Sequence, residues 1–387
     1  MLRKTLVAAA ALAGGCSCNH DYDYTFPDPA APEDPSLTAP TSFGSWLSFD
    51  TSPEGDRLTM SYYDRDRGAL GWAVGVPAGD EVVWAHEKVD GYPDDAGLDV
   101  RDVGQYSSQR TAPDGTVWVA SYDATNGGLR VSHRIGPHTW AEPETDDGGS
   151  GAPGVGQWAS LALDAQGLPV VAHADAARGA IRITRFDGAQ WSSVQAYASK
   201  AVDDVDDLGN PITRPAGVAQ IDLVIQGDEL LLAFHDTAST SLHLVRGQGD
   251  TFTDEVIDDS GDVGAWPSLW TDGDTVRIAY HDAGRQNLMF AEQQGAGDWS
   301  LTRIDDGELR GADTELFERD GEPAILYFDG WDNDQWLAVR SGDAWTTSQV
   351  GGAEGAVGFF NEAVQAGGRW WAGSYDHTHD ALFLRPL

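Results

Sequence analysis

A repeat of four short apolar segments constrains this chain more than any other feature. One copy reads Ser268-Leu-Trp-Thr-Asp272, Tyr280-His-Asp282, Leu288-Met-Phe-Ala291 and Gly297-Asp-Trp299. Gly- and Asp-rich turn signals separate the segments, and none of them sustains helical spacing over about ten residues. Repeats of roughly 40–50 residues that are built from four short strands are typical of propeller blades.

The repeat returns seven times along the chain. An aspartate ends the second strand of each copy, at intervals of 46 to 61 residues: Asp64, Asp123, Asp175, Asp236, Asp282, Asp329 and Asp376. The sequence therefore predicts an all-β fold, a seven-bladed β-propeller of four-stranded antiparallel blades over residues 42–387. The last copy ends after its third strand. Because an unpaired strand edge invites aggregation, we expect residues 22–26 or 36–40 to close the last blade.

The N-terminus has the composition of an export signal. Residues 1–16 have a basic start, a short apolar run and small residues before Cys16, and the run is too short to span a membrane. Leu12-Ala-Gly-Gly-Cys16 resembles a bacterial lipobox, which predicts lipidation at Cys16, with Cys18 as an alternative acceptor. We expect residues 17–41 to tether the propeller to the membrane of the cell envelope, in the outer membrane or at the cell surface. Without the lipid, the protein would be periplasmic or secreted.

Charge and cysteine content exclude several classes of protein. The formal net charge is −38, and such a surface repels nucleic acid and anionic membranes, so membrane contact is expected through the lipid alone. Cys16 and Cys18 are the only cysteines, which leaves the propeller with no disulfide, cysteine metal site or thiol nucleophile. We expect a monomer with no cofactor, apart from Ca²⁺ bound by the acidic surface.

The start of the first strand of each blade predicts a ligand site near the central channel. An aromatic position there, followed two residues later by a polar one, lies on the same face as the aspartate turns. Aromatic faces stack on sugar rings, and carboxylates accept hydrogen bonds from hydroxyl groups. The alternative is structural: the aspartates cap their own turns and the aromatic rings wedge between blades. The expected ligand-binding residues are Trp46, Tyr106, Trp158, Trp266 and Phe360.

Departures from the repeat are the candidates for chemistry. Asp313 replaces an aromatic residue, and Glu315 and Glu362 replace serines, on the adjoining sixth and seventh blades. A carboxyl pair beside a channel is suited to general acid–base catalysis, to holding a cation, or to lining the channel without a ligand. In the fourth copy the same alignment gives Ala219 and Ile221. No catalytic assignment follows from these residues alone.

Two sets of residues are candidates for metal binding. Asp329, Asp332 and Asp334 form an acidic loop suited to Ca²⁺, although their spacing is not that of an EF-hand. The loop around 203–210 has a similar composition. His235, His281 and His377 lie beside the repeat aspartate on three blades, but without the spacing of a known zinc motif.

The repeat quoted above is similar to the sialidase-like, Asp-box-related propeller repeats of exported bacterial proteins. The resemblance covers residues 42–387 and implies a propeller that recognises or hydrolyses glycans. Thr111-Ala-Pro-Asp-Gly-Thr-Val-Trp118 departs from the Asp-box pattern because Asp directly precedes Gly, which favours a hairpin turn. The sialidase Phe/Tyr-Arg-Ile-Pro motif is absent.

The function predicted from the sequence is recognition of a glycan or protein at the cell surface by a lipid-anchored propeller. The alternatives are a glycoside hydrolase or lyase acting at the channel mouth, and a structural surface protein. The sequence does not decide whether the protein is an enzyme, although it favours a protein that binds without catalysis.

Overall fold

The computed structural model describes residues 43–92, 101–146, 148, 153–205, 210–352 and 355–387, and these form a seven-bladed β-propeller. Each blade is an antiparallel meander, as the alternating and apolar segments predicted. The signal peptide, the lipidation site, the tether and both segments proposed to close the last blade lie outside the described residues. No helix in the described part of the chain has the length and hydropathy needed to cross a bilayer.

The strands follow the chain in order. Blade one contains β1 (Ser45–Thr51), β2 (Leu58–Asp64), β3 (Ala69–Ala78) and β4 (Glu81–Asp90). Blade two contains β5 (Val103–Thr111), β6 (Val117–Asp123), β7 (Gly128–Gly136), and the short β8 (Thr139–Trp140) and β9 (Glu144–Asp146), which both pair with β7. Blade three contains β10 (Val155–Leu163), β11 (Pro169–Asp175), β12 (Ala180–Phe186) and β13 (Trp191–Ala198).

A separate hairpin, β14 (Val202–Val205) and β15 (Pro211–Arg214), follows blade three inside an insert that the sequence predicted as a loop. Blade four contains β16 (Val218–Gln226), β17 (Glu229–Asp236), β18 (Ser241–Gln248) and β19 (Thr251–Asp258). Blade five contains β20 (Val263–Thr271), β21 (Val276–Asp282), β22 (Asn287–Gly295) and β23 (Asp298–Asp305).

Blade six contains β24 (Arg310–Arg319), β25 (Glu322–Asp329), β26 (Asp334–Ser341) and β27 (Ala344–Gly351). Blade seven has three strands within the described residues, β28 (Phe359–Ala366), β29 (Arg369–Asp376) and β30 (Ala381–Pro386). The first strands of successive blades are neighbours, and β28 lies beside β1, so these strands surround the central channel.

Apolar packing between blades closes the ring. Each of the seven blade interfaces has its own cluster of buried side chains. At the last interface, Trp371 of blade seven packs with Phe49 and Met60 of blade one, and all three are buried. Because burial of a large apolar side chain contributes about 1.5–3 kcal/mol, this interface helps to close the ring.

The repeated aspartates cap the turns that follow their own strands. Asp64 Oδ1 accepts hydrogen bonds from the backbone N–H groups of Asp66 and Arg67, at 3.1 and 3.3 Å. Equivalent bonds to backbone N–H groups are made by Asp123, Asp175, Asp236, Asp282, Asp329 and Asp376. Each repeated aspartate therefore stabilises its own turn. This is the structural alternative to ligand binding that the sequence allowed.

Candidate functional site

Near the start of the first strand of each blade, one residue lies in the left-handed backbone region. This residue identifies the equivalent positions of the seven blades. The seven have φ between 46° and 55°: Trp46, Tyr106, Trp158, Gln220, Trp266, Asp313 and Phe360. Positive φ is uncommon for residues other than glycine, so its return in every blade marks an equivalent position. In blade four that residue is Gln220, and the sequence alignment that gave Ala219 was wrong by one position.

The corrected register adds a carboxylate to the channel. Two residues after Gln220 stands Asp222, where the sequence alignment had given Ile221. The error arose because Gly217 was matched to the glycine that precedes the aromatic residue in the other blades, whereas Val218 holds that place. Ser160-Leu161, Asp222-Leu223, Ser268-Leu269 and Glu315-Leu316 share a polar–leucine pair that could have revealed the register.

The polar residues at this position join neighbouring blades. Six of the seven accept a hydrogen bond from a backbone N–H group of the following blade, and in five of these pairs the distance is 2.7–3.2 Å. The pairs are Ser48 with Gln109, Ser108 with Leu161, Ser160 with Leu223, Asp222 with Leu269, Ser268 with Leu316, and Glu362 with Phe49. Serines and carboxylates therefore perform the same structural task, but the carboxylates also bring charge to the channel.

Aromatic rings pack against one another at the start of the channel strands. The centroid of the Trp46 ring lies 4.1 Å from that of Tyr106 and 4.7 Å from that of Phe360, and Tyr106 lies 4.6 Å from Trp158. The rings of these pairs are tilted by 45–59°, and aromatic pairs contribute about 0.5–1.5 kcal/mol beyond their burial. These four residues, the aromatic cluster, occupy the end of the channel at which the first strands begin.

A cavity of about 630 Å³ lies inside the channel beyond the aromatic cluster. Trp158, Trp266 and Phe360 line it, whereas Trp46 and Tyr106 contribute to the packing behind them. The lining continues along the first strands to the exposed residues Glu318 and Gln365, beside the hairpin turns at the other end of the channel. The cavity therefore extends away from the face on which the sequence placed the ligand.

The cavity also brings together the three carboxyl groups that depart from the repeat. Asp313, Glu315 and Glu362 all line it, together with Asp222. Ser268 Oγ lies 3.4 Å from Glu315 Oε2, and Asp313 accepts a hydrogen bond from the backbone N–H of Phe360. The candidate acid–base residues thus share a cavity with three of the five predicted aromatic ligand residues.

Burial raises the pKa of these carboxyl groups. It raises the pKa of Asp313 to about 7 and that of Glu362 to about 8. Burial also raises the pKa of Glu315 well above its ordinary value, and the negative charges of Glu362 and Asp222 add to the rise. The Arg110 guanidinium opposes the rise at both glutamates. Near neutral pH, part of this set is protonated and can donate as well as accept hydrogen bonds.

The acidic loop proposed for calcium is engaged with protein groups. Asp329 Oδ2 lies 3.1 Å from Arg310 Nη1, and Asp334 Oδ2 accepts a hydrogen bond from Gln349 Nε2 at 2.6 Å. Asp332 is exposed. Among the described residues, no three His, Cys, Asp or Glu side chains come together in a way that could hold a metal ion. The calcium prediction therefore rests on the sequence pattern alone.

Of the three histidines, His281 is buried and His235 is half-buried. Burial lowers the pKa of His281 to about 4, and its ring centroid lies 5.8 Å from that of Trp266. Burial also lowers the pKa of His235, whose Nε2 lies 3.9 Å from Asp262 Oδ1. His377 lies 5.9 Å from Phe359, centroid to centroid. The three histidines do not form a common metal site among the described residues.

Comparisons with known proteins support the fold. No protein-family model matches the sequence, and no curated protein matches it. Kuenenia stuttgartiensis hydrazine synthase is similar in structure, with a TM-score of 0.54 and 10% identity over 92% of this chain and 99% of that chain. The polysaccharide lyase Uly1 has a TM-score of 0.52 and 9% identity over 96% and 93% of the two chains.

The periplasmic gluconolactonase PpgL of Pseudomonas aeruginosa has a TM-score of 0.51 and 12% identity, over 87% of each chain. These three structures have different activities on one architecture, so the likeness establishes the propeller and not a reaction. The fold implied by the sialidase-like repeat is confirmed.

Proposed function

We propose that this protein is an exported, lipid-anchored β-propeller that recognises a carbohydrate in its central cavity. The observation that carries the proposal is the shared lining of that cavity, where the indole rings of Trp158 and Trp266 face the same space as Asp313, Glu315 and Glu362. Sugar rings present an apolar face that stacks on aromatic rings and a rim of hydroxyl groups that bonds to carboxyl groups. The volume of about 630 Å³ lies within the usual range of small-ligand sites.

Binding of oligosaccharides to the purified propeller tests the proposal. Isothermal titration against a panel of neutral, amine-bearing and acidic oligosaccharides should identify a ligand, and Trp266→Ala should weaken its binding about tenfold or more. Trp331→Ala is the matched control, because Trp331 is 65% exposed on a turn outside the cavity lining. If no oligosaccharide binds, or if Trp266→Ala binds as the parent does, the recognition proposal fails and a protein partner becomes the better hypothesis.

A glycoside hydrolase or lyase at the same cavity is the second candidate, and the raised pKa of Glu362 favours it. A carboxylic acid that stays protonated near neutral pH can act as a general acid. After Glu315 and Glu362 together lose one proton, one carboxyl group remains an acid and the other is ionised, which is the state an acid–base pair needs. New reducing ends from an oligosaccharide panel would reveal hydrolysis, and Glu362→Gln should then reduce the rate about a hundredfold or more.

A further inference from the structure

The lining of the cavity contains many more carboxyl groups than basic groups. Its lining contains five carboxyl groups and one guanidinium: Asp222, Asp313, Glu315, Glu318 and Glu362 against Arg110. Within the described residues, none of these carboxyl groups forms an ion pair with a Lys, Arg or His nitrogen within 4.0 Å. Arg110 Nη1 donates a hydrogen bond to the backbone oxygen of Gln109 at 2.7 Å, so part of its capacity is already used.

We propose that the cavity selects glycans with free amino groups and excludes glycans that carry carboxylates, such as those containing uronic or sialic acids. This inference rests on the proposed function of the same cavity and specifies the class of its ligand. Two features support it together, the excess of carboxyl groups and the indole walls of Trp158 and Trp266. Ammonium groups are attracted both by carboxylates and by the faces of indole rings.

An anionic sugar would be repelled by more groups of the lining than would attract it. Its carboxylate could pair with Arg110, but it would also approach Asp222, Glu315 and Glu362, and a further negative charge there would oppose their ionisation. Like charges brought together inside a partly desolvated site cost more than the same charges in water. The cavity is therefore unsuited to acidic sugars.

Binding of an amine should release protons. Glu362 faces Arg110, Asp222 and Asp50, and Glu315 faces Glu362, Asp222 and Arg110. Arg110 favours ionisation of these glutamates, whereas the neighbouring carboxylates and burial oppose it. An ammonium group placed among them would favour the ionised forms, so binding and proton release are linked. An N-acetylated ligand has no such charge and should bind with little change in protonation.

Three oligosaccharide probes of equal length test the inference. A β-1,4-linked glucosamine tetramer should bind about tenfold or more tighter than its fully N-acetylated counterpart near neutral pH, and a galacturonic acid tetramer should not bind. Titration in buffers of different ionisation enthalpy, at a pH at which the amines of the ligand are already protonated, should show proton release for the glucosamine tetramer alone. Spermidine, which has amines but no sugar, separates attraction by charge from recognition of a glycan.

The double variant Glu315→Gln/Glu362→Gln tests whether these two glutamates determine the preference for amine-bearing glycans. It should reduce the preference for the glucosamine tetramer to about twofold or less while still binding the N-acetylated tetramer, because glutamine retains a hydrogen-bond acceptor at both positions. Glu81→Gln is the matched control, since Glu81 is exposed and lies outside the cavity lining. A thermal-unfolding midpoint no lower than that of the parent would show that the double variant folds.

The outcomes separate the two proposals. Equal binding of the two glucosamine-based tetramers would overturn the charge preference and leave glycan recognition standing. Binding of the galacturonic acid tetramer would also overturn it. Tight binding of spermidine with no binding of any sugar would contradict the proposed function. A double variant that kept the full preference would show that Glu315 and Glu362 do not determine it.

Discussion

The carboxyl group of Glu362 accepts a hydrogen bond from the backbone N–H of Phe49, and this bond joins the last blade to the first. In the first three blades and the fifth, a serine performs the corresponding task. Glu362 thus helps to close the ring and lines the cavity at the same time.

Substitution of Glu362 should separate these two roles. Glu362→Ala leaves the Phe49 N–H without this acceptor, and we expect a loss of about 1–3 kcal/mol in the free energy of unfolding. Glu362→Gln retains an acceptor and should lose less than half as much. Urea denaturation followed by tryptophan fluorescence measures both values. Equal losses in the two variants would contradict a role for the hydrogen bond.

The raised pKa of Glu362 predicts a pH dependence of stability. Its pKa rises from 4.5 in the unfolded chain to about 8 in the fold, so between these pH values the folded state retains a proton that the unfolded state has lost. Stability contributed by this group is therefore fully present below about pH 4.5 and is lost as the pH rises through about 8. Relative to the parent, Glu362→Gln should become more stable as the pH increases across this window.

Thermal unfolding at several pH values, with both proteins in matched buffers, measures that difference. Using the difference removes the general effect of the large negative charge, which acts on both proteins. A difference that stayed constant with pH would show that Glu362 has an ordinary pKa in the fold.

A buried ion pair joins the second blade, whose outer edge is formed by the two short strands β8 and β9, to the first blade. Arg134 Nε and Nη2 each donate to the carboxylate of Glu87 at 2.9 Å, and Trp140 Nε1 donates to it at 3.1 Å. Because the substitution removes the carboxylate that pairs with the buried Arg134, Glu87→Ala should cost about 3–5 kcal/mol in the free energy of unfolding.

An exposed pair provides the comparison for this prediction. Arg369 Nη1 lies 2.9 Å from Asp80 Oδ1, with side-chain exposures of 41% and 81%. Water screens such pairs, so Asp80→Ala should change the free energy of unfolding by about 1 kcal/mol or less. Similar losses in Glu87→Ala and Asp80→Ala would contradict the importance of burial at Glu87.

Lipidation at Cys16 can be tested in the full-length chain. Expressed in a bacterial host with labelled palmitate, the parent protein should incorporate label and sediment with membranes, because Cys16 follows a short apolar run and two glycines. Cys16→Ser should lose both properties, whereas Cys18→Ser should keep them. Label in Cys16→Ser that disappears only when Cys18 is also replaced would move the acceptor to Cys18.

The sequence predicted the propeller because strand periodicity and turn residues are local signals that return in every blade. It also brought Asp313, Glu315 and Glu362 to attention, since they interrupt the repeat. Asp222 was missed because one glycine, Gly217, is displaced by a residue from its usual place. The recurring positive φ of Gln220 reveals the shift, and the pair Asp222-Leu223 was the signal for it in the sequence. The aromatic cluster and the extent of the cavity depend on how rings from four blades meet, which periodicity within one blade does not encode.

The position shared by Ser48, Ser108, Ser160, Asp222, Ser268, Glu315 and Glu362 has a consequence for how such a protein can change. Any side chain there that offers an oxygen can receive the N–H group of the neighbouring blade, so an exchange between serine and a carboxylate preserves that link. The channel therefore has seven equivalent positions at which the residue type can change while the link between blades remains. Substitutions at these positions can change the charge of the channel one blade at a time, while the propeller fold stays the same.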